Sequence, residues 1–261
     1  MRIRTTEDIA RVDLLGLLWT LVRTDFKVRY HGTWMGFLWA LFKPLAMFLV
    51  LMTVFSFIFA QERNYAFNLL LGLFLFDFFS ESTRVGVTSL AVKGYLLGKT
   101  RFPRWLLVVT SPSNALMTLS VVCLTIVIAL SVTGRSPSLA ALGLFGLCLL
   151  AMIVITIGFS LGSSVLFLRY RDLNQIWDVI VQAGFFVAPV VYPLGIIPEK
   201  YHFYLYIWPP TAVIQFSRQL LVEHHVPTLK AFSMLAGVTA TIFLSGLLLY
   251  RHYAPSAAEN L

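Results

Sequence analysis

A short segment from Gly94 to Thr100 is the part of the chain that most resembles a catalytic motif. It ends in Gly98-Lys99-Thr100, as does the phosphate-binding P-loop pattern GxxxxGK[ST]. The spacing is one residue short, however, because Lys93 stands where the first glycine of that pattern belongs. Pro103 follows closely, and a proline favours the end of a helix over its beginning. We therefore expect no nucleotide site and no cofactor bound by this chain.

The same part of the chain is a basic loop. It contains Lys93, Lys99, Arg101 and Arg104 and no acidic residue. Such a cluster marks the cytoplasmic side of a membrane protein. It could also form a surface for a partner that supplies energy. The sequence leaves both interpretations open.

Three charged residues share one face of an otherwise apolar helix. Asp77, Glu81 and Arg84 have the spacing i, i+4, i+7, and Glu81 and Arg84 are spaced for an ion pair. Charges at membrane depth usually face a bundle interior or a water-filled cavity. A buried structural network and a transport role are equally compatible with this pattern. A proton relay is a further alternative, although no histidine lies in a predicted span to assist it.

Aromatic residues form 15% of the chain and fall into stripes. On the first apolar helix the stripe comprises Phe48, Met52, Phe55 and Phe59, continuing Leu41 and Pro44. Phe185 and Tyr192 follow the same spacing later in the chain. The rings could pack against lipid or other helices. They could instead line a channel, because flat apolar faces let sugar C–H groups slide past.

The pair His224-His225, close to Glu223, could suggest a metal site. No second cluster of ligands accompanies it, and a stable metal site needs several converging ligands. We therefore predict an external loop here and no bound metal.

Composition then indicates the class of protein that must position these residues. Hydrophobic residues make up 58% of the 261 residues and charged residues only 12%, whereas soluble domains carry roughly 25% charged residues. The net charge of +8 could suggest nucleic acid, but the basic residues lie in short clusters beside apolar runs. The sequence predicts a multi-pass membrane protein that does not bind nucleic acid.

The apolar periodicity predicts an all-α integral membrane fold in one domain. Residues 1–33 form a cytoplasmic segment with an amphipathic helix from Ile9 to Tyr30 lying in the membrane interface. Residues 34–250 form a bundle of six spans, and residues 251–261 a cytoplasmic tail. The predicted spans are Trp34–Ala60, Tyr65–Leu90, Trp105–Val132, Leu139–Leu168, a helix of about 20 residues after Asp172, and Leu229–Tyr250.

Prolines interrupt the chain between spans five and six. Proline cannot continue a regular helix, so we predict short broken helices near one membrane surface. Irregular backbone at that depth needs protein or water around it, which is typical of a pathway mouth. The interrupting prolines are Pro189, Pro193, Pro198, Pro209 and Pro210.

The distribution of basic residues predicts the orientation. With the N-terminus inside, five basic residues lie at external span ends: Arg63, Arg135, Lys200, Arg218 and Lys230. More than twice as many lie at internal ends, and cytoplasmic ends carry the excess of Lys and Arg. Both termini are therefore predicted to be cytoplasmic.

In these features the chain resembles the type-2 ABC transporter permeases that export polysaccharides. The early part of the resemblance comprises Arg29-Tyr30, Thr33, Gly36, Leu38-Trp39 and Pro44. The later part comprises Arg169–Leu173, Pro189–Pro193, Pro210 and Arg218. The order and spacing of these motifs extend over nearly the whole chain.

The resemblance implies a homodimer around a channel, in the bacterial inner membrane, with two copies of a separate ATPase that binds ATP and Mg²⁺. The cargo would be a lipid-linked polysaccharide such as O-antigen on undecaprenyl diphosphate; capsular glycan and teichoic acid are alternatives. The ATPase would contact the amphipathic helix and the loop Gly98–Arg104, and the segment Tyr192–Pro210 would form the external gate.

Two other classes remain open. One is an exporter of drugs or small lipids. The other is a membrane enzyme acting on a lipid-linked substrate, although the sequence offers no His-Asp or His-Glu pairing within a span.

Overall fold

The computed structural model describes residues 14–32, 34–59, 62, 64–94 and 103–255. Within these ranges the regular structure is entirely helical. This confirms the predicted all-α class. Five of the described helical segments are long and apolar enough to cross a membrane: Leu38–Phe55, Tyr65–Val92, Trp105–Val132, Leu139–Arg169 and Leu229–Tyr253.

The first helix, α1, is Leu14–Tyr30 and ends where Gly32 takes a positive φ of 80°. Residues 9–13 of the predicted amphipathic helix lie outside the described residues. Helix α2 is Leu38–Phe55, shorter at both ends than the predicted span Trp34–Ala60. Gly36 precedes it with a φ of 52°, a conformation that glycine adopts without steric cost.

Helix α3, Tyr65–Val92, forms the centre of the bundle. Buried leucines and phenylalanines along its length belong to one apolar core that also includes residues of three later helices, Ser113–Val132, Leu139–Arg169 and Pro209–Leu221. Because lipid is as apolar as these side chains, close packing holds such helices together in a membrane.

The third predicted span is divided. The predicted span Trp105–Val132 has the bounds of the observed apolar segment, which consists of helix α4, Trp105–Val109, and helix α5, Ser113–Val132. Thr110 and Ser111 turn their hydroxyls onto the carbonyls of Leu106 and Val108. Pro112 then offers no backbone N–H, and together these features interrupt the helix.

Helix α6, Leu139–Arg169, begins at Ser138, whose hydroxyl accepts a hydrogen bond from the backbone N–H of Ala141. It packs closely on α10, Leu229–Tyr253. A Cβ added to Gly158 would lie 2.5 Å from the Cα of Phe243, and one added to Gly246 would overlap the carbonyl of Gly158. The two backbones touch because glycine stands at these positions.

The predicted fifth span of about 20 residues was too long. Helix α7 is Leu173–Val187, only 15 residues, or roughly 22 Å of helix against about 30 Å of hydrocarbon. It ends because Ala188 precedes Pro189 and takes an extended conformation, with φ −68° and ψ 132°. A 3₁₀ turn (Leu194–Ile196), α8 (Glu199–Ile207) and α9 (Pro209–Leu221) follow. The predicted short broken helices are confirmed.

Candidate functional site

The residues after α7 are held in place by one buried arginine on α9. Arg218 donates hydrogen bonds from Nη1 to the carbonyl of Pro189 at 2.6 Å and from Nη2 to the carbonyl of Val190 at 2.7 Å. Its Nε donates to the carbonyl of Asn68 on α3 at 3.0 Å. The guanidinium therefore joins α9, the end of α7 and the start of α3.

The environment of Arg218 differs from the sequence prediction. We predicted an external basic residue at a span end, yet the side chain is only 4% exposed. A guanidinium is satisfied in the interior when its fixed donors meet acceptors. The carbonyls of a helix broken by proline provide those acceptors. The feature of the sequence that could have indicated this buried site is an arginine within the amphipathic helix α9, after a segment that prolines interrupt.

Two residues of α3 support this arrangement: Gly72 leaves space for it, and Tyr65 adds a hydrogen bond. A Cβ at Gly72 would lie 2.6 Å from Nη2 of Arg218 and 3.0 Å from the carbonyl oxygen of Val190. Tyr65 donates its hydroxyl to the carbonyl of Val191 at 2.9 Å. The first two turns of α3 therefore form a surface fitted to the irregular backbone.

The five prolines of the predicted gate all lie at breaks or helix starts. Pro189 is buried beside Arg218, and Pro193 and Pro198 precede the 3₁₀ turn and α8. Pro209 and Pro210 occupy the first positions of α9, where proline fits because no N–H is needed. Their role in gating remains a prediction.

A polar cavity of about 250 Å³ opens next to Arg218. It lies between the start of α3, the residues after α7 and one face of α9. Its polar lining residues include Glu62, Asn68, Gln215, Gln219 and Glu223. The spacing of residues predicts none of the three amides as part of a site, because an amide on a helix has no distinctive sequence pattern.

The predicted ion pair between Glu81 and Arg84 was wrong. Glu81 pairs with Arg29 of α1, and Arg84 pairs with Asp178 of α7 through Nε and Oδ1 at 2.8 Å. Long charged side chains reach across helix interfaces, so spacing within one helix does not decide the partner. Asp77 makes no hydrogen bond or ion pair with another described residue.

A third ion pair completes this end of the bundle. Lys93, just after α3, pairs with Asp25 of α1. Arg104 at the start of α4 donates to the carbonyl of Ala254 at 3.3 Å. The described part of the predicted ATPase-coupling loop is thus tied to the end of α10. Gly98, Lys99 and Arg101 lie outside the described residues.

The residues predicted to line a channel pack against other helices of the same chain. Phe48, Met52, Phe55 and Phe59 are partly buried against the main core, and so is Phe185. Phe55 and Phe59 stack with centroids 6.1 Å apart, and Phe185 meets Phe76 edge-on at 5.3 Å. The opposite face of α2 is exposed, with Val50 at 58%, and Phe57 in the turn after α2 is 80% exposed. Whether the packed rings line a channel remains a prediction.

Tyr192, the remaining ring of that set, folds back on α7. Its hydroxyl donates to the carbonyls of Phe186 and Val187 at 3.0 and 3.1 Å. These are two of the carbonyls that the end of α7 leaves without a helical partner. The ring therefore caps the helix and also borders the polar cavity.

An aromatic cluster that the sequence analysis missed joins α7 to α9. Trp177 stacks on Phe159 with centroids 4.0 Å apart and donates from Nε1 to the hydroxyl of Thr83 at 3.0 Å. Trp208 lies 6.1 Å from Trp177 and against Gly184, where a Cβ would overlap the indole ring. A glycine between bulky residues on α7 was the signal for this close approach.

Comparison with known proteins gives a consistent result. The family profile described as ABC-2 type transporter matches residues 16–222. The chain is 27% identical to the O-antigen export system permease protein RfbA of Myxococcus xanthus, over 94% of this chain and 95% of that protein. It is 30% identical to the protein of the same name from Klebsiella pneumoniae, over 80% and 82%. It is 25% identical to the polysialic acid transport protein KpsM of Escherichia coli, over 87% and 89%.

Proposed function

The chain belongs to the ABC-2 type transporter family, and on that premise we propose that it exports O-antigen linked to undecaprenyl diphosphate. It is a multi-pass membrane permease. The observation that carries the proposal is the match over nearly its whole length to O-antigen export permeases. The proposed membrane is the bacterial inner membrane.

We further propose six crossings, with α7 and the residues after it making the fifth. Arg84 meets Asp178 near one end of α3, and Tyr65 meets Val191 at the other end. The segment between Asp178 and Val191 thus follows α3 along most of its length, although its helix is short. Residues 188–192 continue beside α3 as turns and bends after the helix ends.

The proposed orientation places both termini in the cytoplasm. Asp25 with Lys93, and Arg104 with Ala254, bring α1, the end of α3, the start of α4 and the end of α10 together at one end of the bundle. That end carries the excess of basic residues, which favours the cytoplasmic side. The cavity beside Arg218 then faces the external side.

The proposed energy source is a separate ATPase, present in two copies on a homodimer of this chain. We propose that the ATPase contacts α1 and the loop containing Gly98, Lys99, Arg101 and Arg104. The sequence of this loop contains cations and no acid, which suits an acidic partner surface. The exposed apolar face of α2 is available for a second copy or for lipid.

Complementation tests the proposal. A bacterial strain that makes O-antigen but lacks both its export permease and its ATPase accumulates the lipid-linked glycan at the cytoplasmic face of the membrane. Expression of this chain with its ATPase should restore O-antigen at the cell surface. Neither subunit alone should do so. Continued accumulation despite normal membrane levels of both subunits would contradict the proposal.

Capsular polysaccharide is the second candidate cargo. The similarity to a polysialic acid transport protein, at 25% identity, favours it. The same assay in a capsule-export mutant distinguishes the two, because restored capsule without restored O-antigen would change the assigned glycan. A drug or small-lipid exporter would restore neither.

A further inference from the structure

The polar cavity beside Arg218 has the size of a binding site for one small group. Its volume of about 250 Å³ lies just below the roughly 300–1,000 Å³ of ligand pockets. A single sugar ring fits such a space, whereas a chain of sugars does not. The cavity is formed by three separate parts of the chain, and Arg218 holds them in place through Asn68, Pro189 and Val190.

Two amide groups in the wall lack hydrogen-bond partners among the described residues. They are Nε2 of Gln215, a residue only 5% exposed, and Oδ1 of Asn68. The first is a donor and the second an acceptor. Buried polar groups without a partner are costly. The wall therefore favours a ligand that accepts a hydrogen bond from Gln215 and donates one to Asn68. A hydroxyl group does both.

The charges in the wall exclude other ligand classes. Three of the five N–H groups of Arg218 donate to backbone carbonyls, so most of the guanidinium is already bonded within the protein. The carboxylates of Glu62 and Glu223 border the cavity and would repel phosphate. A cation would leave the Gln215 donor unpaired. A neutral ligand with several hydroxyls satisfies the wall best.

Two aromatic rings complete the lining. Tyr65 and Tyr192 border the cavity, and both hydroxyls are already bonded to backbone carbonyls. Each hydroxyl has used its hydrogen and can only accept from a ligand. The apolar ring surface packs well against the C–H groups of a sugar. The amides can form hydrogen bonds with the hydroxyls of a neutral sugar, and the rings can pack against its C–H groups.

We propose that this cavity binds one neutral sugar unit of the exported glycan at the external end of the protein. This inference rests on the proposed function. A sugar held there after crossing would slow backward movement of the polymer. The two unpaired buried groups, one donor and one acceptor, provide a weak hold that still permits release.

Saturation-transfer NMR on the full-length protein in lipid nanodiscs tests the site. The probes are the methyl glycosides of D-mannose, D-galactose and L-rhamnose. At least one should receive saturation from the wild-type protein, and Gln215→Leu and Asn68→Leu should each reduce that signal at least fivefold. Gln182→Leu, the same change at an exposed position on α7 outside the cavity, should leave it unchanged.

Stability of the variants separates binding from folding. Gln215→Leu should keep or raise the unfolding temperature, because it removes a buried donor without a partner. If it lowers the yield of folded protein, Gln215→Glu preserves the size while replacing the donor, and it should also lose the signal. Absence of signal with all three sugars, or equal signals in wild type and variants, would mean that the cavity holds water only.

The binding assay needs neither the ATPase nor the lipid carrier. A sugar signal lost in the variants, combined with failed complementation, would support the site and contradict the proposed function. Restored export with no sugar signal would contradict the site alone.

Discussion

At the scale of single residues, the shape of the bundle around the start of α3 depends on Arg218. Arg218→Met removes three hydrogen bonds to buried carbonyls while retaining an unbranched apolar side chain. Part of the loss is offset because no charge has to be buried. We expect a net destabilisation of about 2–4 kcal/mol, measured as a lower unfolding temperature of the purified protein.

Lys230→Met is the matched control, since Lys230 is exposed on α10. It should change stability by less than about 0.5 kcal/mol. Equal stability of the two variants would show that the carbonyls after α7 do not depend on Arg218.

The ion pairs that Glu81 and Arg84 of α3 make with other helices give a second prediction at this scale. A double-mutant cycle with Arg84→Met and Asp178→Asn should show coupling of about 0.2–1 kcal/mol, because both side chains are partly exposed. The same cycle on Arg29 and Glu81 should give a similar value. Unfolding in denaturant provides the four free energies for each cycle.

A cycle on Glu81 and Arg84, the pair favoured by spacing alone, is the control. Its coupling energy should be close to zero. Larger coupling between Glu81 and Arg84 than between Arg84 and Asp178 would contradict the observed pairing.

At the scale of elements, the contact between α6 and α10 depends on glycine. Gly158→Leu would place a side chain where the backbone of Phe243 lies. We expect the two helices to separate, at a cost of about 1–3 kcal/mol, and folded protein to decrease in size-exclusion chromatography. Gly146→Leu, on the same helix with open space around its Cβ position, should remain folded. Similar behaviour of the two variants would show that this contact is not tight.

The long helices could be predicted from the sequence because apolar runs of sufficient length have few alternatives in a membrane. The prediction placed the end of α3 at Leu90 and that of α10 at Tyr250, close to the observed Val92 and Tyr253. Prolines likewise located the broken segment. These features depend on local backbone chemistry.

The remaining features depend on neighbours that spacing does not reveal. The interruption at Thr110 and Ser111 arises from hydroxyls that bond their own helix, a choice open to any such residue. Arg218 looked like a surface charge because its acceptors come from two other parts of the chain. Asn68 and Gln215 became a candidate site only when the fold brought them together.

At the scale of the whole molecule, the path of the glycan separates the two interpretations of α2. Phe55 at the end of α2 packs against the core, whereas Phe57, in the turn that follows, is 80% exposed. If the predicted stripe lines the channel, Phe55→Cys should react with a water-soluble thiol reagent during ATP-driven turnover, and Phe57→Cys should not. The background should be a Cys123→Ala, Cys148→Ala protein. Labelling at Phe57→Cys alone would place the water-filled path on the side of this segment that faces away from the core.

Transport in a purified system tests the central claim most directly. Vesicles containing this chain, its ATPase on the outer surface and undecaprenyl-diphosphate-linked O-antigen should move the glycan into the lumen when ATP is added. The measurement is the fraction of glycan protected from an added glycosidase. Export by this chain predicts protection only when ATP, the ATPase and the chain are all present. Active ATP hydrolysis by the assembled complex, with all glycan still accessible to the glycosidase, would contradict it.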